Sequence, residues 1–229
     1  MSTLAIFIIF GITLGLVILT YYYGVFIVRR QAQNITDSAS IAAAQELRYH
    51  YEEEMKVHVQ GEINHMYEEI SEEIEACYDS YDSYETSDCP TKEELVEAKL
   101  GSPHELTIKL NTSSFELNED WDLVVLHSYF GTYFTPFKNG DILYETCINN
   151  SSKIRQAMDK IIIKNGGKPS HFKLTFPYER EPNLFIKGSK ELLLREVVDG
   201  SLDVPAQGAA GIVTDFDIDV SSKVKITLN

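Results

Sequence analysis

Residues 3–28 read TLAIFIIFGITLGLVILTYYYGVFIV and contain no charged side chain. As an α-helix this stretch would be ~39 Å long, which exceeds the ~30 Å hydrocarbon core of a bilayer. It is longer than the apolar part of a secretory signal peptide, and it has neither a basic segment before it nor a small-x-small cleavage pattern before Arg29. The sequence therefore predicts that residues 1–30 form a retained transmembrane segment, in preference to a cleaved signal.

Two features of this segment concern its surroundings. Three consecutive tyrosines, Tyr21 to Tyr23, are typical of the interface between lipid and water. Gly11 and Gly15 form a small-xxx-small pattern, which lets two helices approach closely in lipid. The pattern predicts helix packing at these glycines, and a span without a helical partner is the alternative.

The helical pattern continues beyond the membrane into residues 31–88, an acidic stalk that ends in a loop rich in Tyr, Asp and Ser. Its apolar residues recur at steps of three and four between acids, as in an amphipathic helix. No proline occurs before Pro90, so one long helix is predicted. Its apolar stripe needs a partner, either the chain's own C-terminal domain or the same helix of a neighbouring subunit.

The charge and length of the chain limit its function. A formal net charge of −15 over 229 residues, with no basic stripe, argues against nucleic-acid binding. The acidic residues of the stalk are interpreted as a solvated helix face, with binding of divalent cations or a cationic partner as the alternative. The remaining residues, 89–229, suffice for one folded domain.

The three cysteines have no metal-binding spacing. If the body lies outside the cytoplasm, a disulfide between Cys77 and Cys89 is predicted, closing the loop after the stalk helix. Cys147 could instead pair with Cys89, or remain a buried thiol.

The side of the membrane is indicated by two conflicting signals. Arg29 and Arg30 follow the span directly, which favours a cytoplasmic body. Four glycosylation sequons favour an extracytoplasmic body; their acceptors are Asn34, Asn111, Asn149 and Asn150.

The stretch Gln33-Asn34-Ile-Thr-Asp37, followed by an alanine-rich run through Leu47, resembles the N-terminal segment of tight-adherence (Tad or Flp) pilus assembly proteins of the TadE and TadG kind. The resemblance covers residues 1 to about 48. It implies a membrane-anchored, pilin-like protein whose body, residues 89–229, faces outward, in agreement with the sequons. Small residues at Ala42, Ala43 and Ala44 are then expected to pack closely against another helix just above the membrane.

This sequence departs from that family at its beginning. It opens Met-Ser-Thr-Leu-Ala, without the basic or glycine-containing leader of the family and without the glutamate of many pilins. A permanently anchored accessory subunit is therefore expected rather than a major filament subunit.

The C-terminal body is predicted to be α+β with an antiparallel sheet. Thr91 and Glu94 form a capping box that opens a helix at 92–100, and a second helix carries Ile154, Met158, Ile161 and Ile162. Alternating or continuous apolar residues predict strands at 106–110, 122–134, 171–176, 183–186, 192–198, 213–220 and 224–228. Asn139-Gly140-Asp141 predicts a hairpin turn within this part.

No motif of a known catalytic centre occurs, so the chain is not expected to be an enzyme. His104, His127 and His171 are scattered and are interpreted as structural. Asp215, Asp217 and Asp219 alternate along a predicted strand and could bind calcium; a solvent-facing strand face explains them equally well. No other cofactor is expected. Trp121 is interpreted as a core residue.

These observations lead to one functional expectation and one alternative. The first is a pilin-like structural subunit or accessory protein of a surface filament, anchored by a single span and assembling with its own copies or other pilin-like subunits through the N-terminal helix. The alternative is a monomeric, membrane-tethered extracellular module that binds a cation or a surface ligand.

Overall fold

The N-terminal helix α1 runs without interruption from Ser2 to Ser80 in the computed structural model, which describes residues 2–80, 89–102, 104–193 and 201–228. It continues through Gly24 and Gly61, which confirms the single long helix. The central part of the Tyr/Asp/Ser loop, 81–88, lies outside the described residues, as does most of the strand predicted at 192–198.

Shorter helices and an antiparallel sheet follow, which confirms the α+β class with a long N-terminal helix. The helices are α2 (Lys92–Leu100), α3 (Glu105–Asn111), α4 (Leu117–Leu126), α5 (Pro136–Asn149) and α6 (Ser151–Lys164), with short 3-10 helices at Phe130–Thr132 and Pro169–His171. The strands are β1 (Phe172–Phe176), β2 (Asn183–Leu193), β3 (Ser201–Gly211) and β4 (Ile226–Leu228).

The chain forms two compact units, and α1 contributes to both. Unit 1 consists of Met1–Arg48, Cys147–Ile212 and Ser221–Asn229, and unit 2 of Tyr49–Thr146 and Val213–Val220.

Unit 1 contains the sheet, with strand order β3-β2-β1-β4 and antiparallel pairing throughout. Successive side chains of a strand point to opposite faces of the sheet, and the buried apolar residues of the four strands share one of these faces. Helix α6 buries Ile154, Met158 and Ile162 of its predicted apolar side, and Ile161 is half-buried. The buried residues of the sheet are Phe172, Leu174, Phe176, Leu184, Ile186, Val204, Ala206 and Leu228.

Unit 2 contains the second half of α1, whose apolar stripe is buried within the chain itself. Every third or fourth residue from Tyr51 to Ile70 is at most 3% exposed: Tyr51, Met55, Val59, Ile63, Met66 and Ile70. Of the two partners considered for this stripe, the structure shows the chain's own domain.

Helix α2 is attached to the end of α1 by several contacts. The predicted disulfide between Cys77 and Cys89 is present. The Lys99 ammonium donates to Glu73 at 2.6 Å and to Glu69 at 3.2 Å. The capping box opens α2 as expected, because Thr91 Oγ1 accepts from the Glu94 amide and the Glu94 carboxylate accepts from the Thr91 amide.

The strands predicted at 106–110 and 122–134 are wrong, because the first stretch lies in α3 and the second runs from α4 through the 3-10 helix Phe130–Thr132. Leu106 and Leu110 are buried on one side of helix α3, four positions apart. The alternation of apolar and polar residues that predicted a strand here was a coincidence of a short segment. His104 caps this helix, since its Nδ1 accepts from the Leu106 amide at 3.2 Å.

The hairpin predicted at Asn139-Gly140-Asp141 is also wrong, because these residues lie inside α5. A Cβ atom at Gly140 would collide with the backbone carbonyl of Asp219. The Asn139 amide donates to the carbonyls of Phe134 and Asp217 at 3.4 and 3.1 Å. Asn139 and Gly140 therefore do not form a turn; they allow the segment of Asp217 and Asp219 to pass close to α5.

The segment that crosses α5, residues 213–220, was predicted as a strand and forms none. Its backbone bonds to the start of α5 instead, with the Asp219 amide donating to the Pro136 carbonyl at 2.8 Å. The Phe216 ring lies against both Tyr51 and Trp121. This segment therefore packs on helices in unit 2, and the half-buried Trp121 contributes to that packing.

Candidate functional site: the N-terminal helix and its contact with the sheet

The first part of α1 has no partner within the described structure. Every side chain from Leu4 to Thr20 is exposed, and the segment is long and apolar enough to cross a membrane. A Cβ atom at Gly11 or at Gly15 would meet no other atom within 4 Å. This long apolar helix near the N-terminus indicates membrane anchoring, and both glycines are accessible to another helix.

Beyond the span, α1 contacts β3 through the segment quoted for the family resemblance. The Gln33 amide nitrogen donates to Asp37 Oδ1 at 2.8 Å and to the Gln207 carbonyl at 2.7 Å. Ile35 and Thr36, on the adjoining side of the helix, are at most 1% exposed. The buried Thr36 hydroxyl is satisfied because it donates to the Gln33 carbonyl at 2.8 Å.

Gly208 permits this contact. A Cβ atom at Gly208 would lie 2.8 Å from Asp37 Oδ1 and 2.9 Å from the carbonyl carbon of Thr36, too close for any side chain to fit without movement. A glycine inside a strand often marks a close backbone approach, but no strand was predicted around residue 208, so this signal could not be recognised from the sequence. The partner of that approach, 171 positions earlier in the chain, could not be predicted.

The alanine run of α1, residues 42–44, packs within unit 1. Ala43 is fully buried and Ala44 is 6% exposed, while Ala42 is half-buried. Together with the buried Leu47, these small residues allow close packing, and the packing occurs inside the chain's own unit.

The four sequon asparagines differ in accessibility. Asn34 and Asn149 are exposed, whereas Asn111 and Asn150 are half-buried. The Asn111 amide donates to the Glu93 carbonyl at 3.3 Å. The Asn34 sequon includes Thr36, which is fully buried.

The three aspartates that were candidates for calcium lie in the segment that packs on α5. Asp215 and Asp217 are exposed, and Asp219 is half-buried. In the described ranges no group of three or more His, Cys, Asp or Glu side chains is placed to hold a metal ion.

Asp215 and Asp217 line an open cavity of ≈ 290 Å³ together with Leu126, Phe134 and Asn139. Asn139 is 1% exposed, and its Oδ1 accepts no hydrogen bond in the part of the chain that is described. Both donor positions of this amide face carbonyl oxygens, which fixes its orientation.

Two of the histidines have structural roles in unit 2. The His127 ring is 6% exposed and its Nε2 lies 3.0 Å from the Leu100 carbonyl, while its Nδ1 accepts from the Tyr129 amide at 3.2 Å. These contacts hold the neutral tautomer with a proton on Nε2. Burial, and secondarily the neighbouring His104, lowers the pKa of His127.

Cys147 is a free, fully buried thiol in unit 1. Burial raises its pKa to about 12. Of the alternatives considered for this residue, the structure shows the buried thiol.

A comparison with curated proteins and a comparison with solved structures each gave no match. A family model does match: residues 1–46 correspond to the Flp pilus-assembly TadE/G-like family. The match covers the span and the Gln33 to Asp37 contact, but it includes neither the sheet nor any residue of unit 2. The N-terminal segment is thus similar to a pilus-assembly domain, and this similarity supports a pilus-related role for the chain.

Proposed function

We propose that this protein is a single-span, pilin-like subunit or accessory protein of a surface filament, which assembles through the membrane segment of α1. The observation that carries the proposal is the family match over residues 1–46, in a helix whose apolar segment has no partner among the described residues. Membrane helices associate through close backbone packing at small residues, and Gly11 and Gly15 offer such a surface.

The burial of the alanine run restricts where copies can meet through this helix. Ala43, Ala44 and Leu47 pack inside unit 1, so their side of α1 is not accessible to a second helix. The apolar stripe from Tyr51 to Ile70 is likewise covered in unit 2. Helix-to-helix contact between copies is therefore assigned to residues 4–27.

The body is proposed to face outward. The disulfide between Cys77 and Cys89 is typical of oxidising compartments outside the cytoplasm. The sequons agree with this orientation, and Asn149 is an exposed glycan acceptor in this proposal. Arg29 and Arg30 argue for the opposite orientation, which makes the topology the first property to test.

Electron microscopy of intact cells with a gold-labelled antibody against residues 105–229 tests the topology and the filament together. Gold along thin filaments is the expected result. Gold scattered over the envelope without filaments would remove the filament from the proposal, and gold seen only in permeabilised cells would refute the outward orientation.

Oxidative cross-linking in native membranes tests the assembly surface. Gly11→Cys is expected to form disulfide-linked dimers, because its side of the helix would face a second copy. Thr13→Cys is the matched control, since position 13 lies on the opposite side of an α-helix from Gly11 and Gly15. Equal yields for the two variants, or no dimer for either, would contradict assembly through the glycines.

The cavity beside Asp215 and Asp217 favours a second candidate, a membrane-tethered module that acts as a monomer and binds a cation. The unpartnered Oδ1 of Asn139 and two exposed carboxylates suit a hydrated or organic cation better than a bare metal ion, because no third acidic ligand is near in the described chain.

Calcium, and separately a simple diamine, should then raise the urea midpoint of the full chain in detergent. Asp215→Asn with Asp217→Asn should abolish the effect, and an unchanged wild-type midpoint would exclude this candidate.

A further inference from the structure

The face of the sheet opposite the buried one carries two lysines in an unfavourable arrangement. Lys173 on β1 and Lys187 on β2 are exposed and directly opposite each other in the antiparallel register. Like charges placed directly opposite in a sheet repel each other. Within the described residues neither ammonium forms an ion pair, so the repulsion is not compensated inside the chain.

An acidic pair on the neighbouring strands β2 and β3 has a cation beside it. Glu191 on β2 and Asp203 on β3 are also opposite each other in register. Here a cation is present, since the Lys168 ammonium lies 2.8 Å from the Glu191 carboxylate. Both acids raise the pKa of Lys168, with Glu191 the larger influence. One residue of the acidic pair thus has a cationic partner, whereas neither lysine of the basic pair has an acidic partner among the described residues.

Two aromatic rings and a third lysine extend the basic pair. The rings of Tyr178 and Phe185 are stacked at 4.1 Å with an interplanar angle of 8°. The Lys225 ammonium lies 5.5 Å from the centre of the Tyr178 ring. We call Lys173, Lys187, Lys225 and the two rings the lysine face. It is a basic, partly aromatic surface in a chain whose net charge is −15. One acid lies beside it, since Glu179 raises the pKa of Tyr178.

The same chain presents a complementary surface on α1. Glu68, Glu72, Glu75 and Asp79 are exposed and follow each other at steps of four, three and four, so they share one side of the helix. We call them the acid stripe. In the described structure these four carboxylates form no ion pair, whereas the nearby Glu69 and Glu73 bind Lys99.

We propose that the lysine face of one copy binds the acid stripe of a second copy. The contact joins two different surfaces, and contacts of this kind produce open-ended assemblies when no rotation closes them. The inference rests on the proposed filament function and adds to it a contact outside the membrane. Because exposed ion pairs are individually weak and screened by salt, the contact depends on several pairs acting together and weakens as ionic strength rises.

Carbodiimide cross-linking of the full chain purified in detergent, where copies are free to shift along the helix axis, tests the contact, since this reagent joins a lysine amine only to a carboxylate that touches it. A mixture of isotopically light and heavy chains identifies links between copies by mass spectrometry. The expected product joins Lys173 or Lys187 of one copy to Glu72 or Glu75 of another. Its yield should fall steeply between low salt and 1 M NaCl.

Charge reversal supplies the decisive comparison. The double variant Lys173→Glu, Lys187→Glu should reduce the cross-links formed by the remaining Lys225 by about tenfold. The double variant Glu72→Lys, Glu75→Lys should reduce the cross-links formed by the remaining acids, Glu68 and Asp79, by a similar factor. The two pairs of substitutions combined in one chain should restore links between the reversed positions. Lys164→Glu, an exposed lysine on α6 with the same charge change, is the matched control and should change nothing.

Three outcomes would overturn the inference. The first is that links between copies persist in the lysine variants, and the second is that the combined variant shows no restoration. The third is that the lysine variants lose binding of an acidic polysaccharide while links between copies are unchanged, which would assign the lysine face to another partner. If a charge-reversed chain fails to fold, Lys173→Gln with Lys187→Gln gives the same test with less perturbation. Dimers of Gly11→Cys that persist in any of these cases would show that assembly through the membrane segment survives without this contact.

Discussion

Replacing both Cys77 and Cys89 by serine is expected to destabilise unit 2 without unfolding it at low temperature. The two cysteines are separated by 12 positions. A cross-link across a loop of this length removes about 10 cal/mol/K of chain entropy from the unfolded state, or about 3 kcal/mol at 25 °C. The contacts of Lys99 with Glu69 and Glu73 remain, so the native state should persist with a smaller free energy of unfolding.

Trp121 provides the assay for this loss. It is the sole tryptophan of the chain and lies in unit 2 with the disulfide. The centre of its ring lies 5.8 Å from the centre of the Phe216 ring. Urea unfolding of the full chain in detergent, followed by its fluorescence, should show a midpoint lowered by about 1.5 M if the urea dependence is about 2 kcal/mol/M. Reduction of the wild type should reproduce the shift, and Cys147→Ala should not.

Two results would refute the reasoning. One is a double-serine midpoint within about 0.3 M of the oxidised wild type, because that would mean the unfolded loop is already restricted without the bond. The other is a reduced wild type that remains as stable as the oxidised chain.

Three further predictions concern single residues. Gly208→Val should lower the free energy of unfolding of unit 1 by about 1–3 kcal/mol through overpacking against α1, seen as faster proteolysis in detergent, whereas Ala209→Val on the exposed side of β3 should have little effect. The Cys147 thiol should resist iodoacetamide at pH 8 in the folded chain and react after unfolding in urea, because burial raises its pKa to about 12. His127 has a folded pKa below the ordinary 6.5, so the unfolded state binds more protons and the stability of unit 2 should fall as pH drops from 7.5 to 5.5. The same urea assay should give a smaller pH dependence for His127→Gln, and an unchanged slope would contradict this assignment.

The elements that the sequence predicted well depend on nearby residues. The capping box of Thr91 and Glu94 defines the start of α2 within four positions, and the apolar side of α6 repeats within 14 residues. The disulfide joins cysteines at the two ends of one loop. In each case the stabilising partner lies within a short stretch of chain, where spacing and residue type suffice to predict it.

The elements that were mispredicted depend on distant residues. Leu106, Ile108 and Leu110 fit both a strand and a helix, and the burial of Leu106 and Leu110 in unit 2 favours the helix. Gly140 and Gly208 are required because another segment crosses their backbone closely. Nothing in the local sequence distinguishes such a glycine from one in a turn, so the α5 helix and the α1 contact with β3 could be found only in three dimensions.

Unit 1 is built from three separate parts of the chain, so its parts become available at different times during translation. Gln33 and Gln207, which are hydrogen bonded, are 174 positions apart, and β4 is completed only at Leu228. At about 5–20 residues per second, the ribosome takes roughly 10–40 s to proceed from the end of the first segment of unit 1 to β4. During that interval the nascent chain has its anchor and the apolar side of α1 from Ile35 to Leu47, but not the sheet that will cover it. This side of the helix therefore has no partner from its own chain until most of the protein has been synthesised.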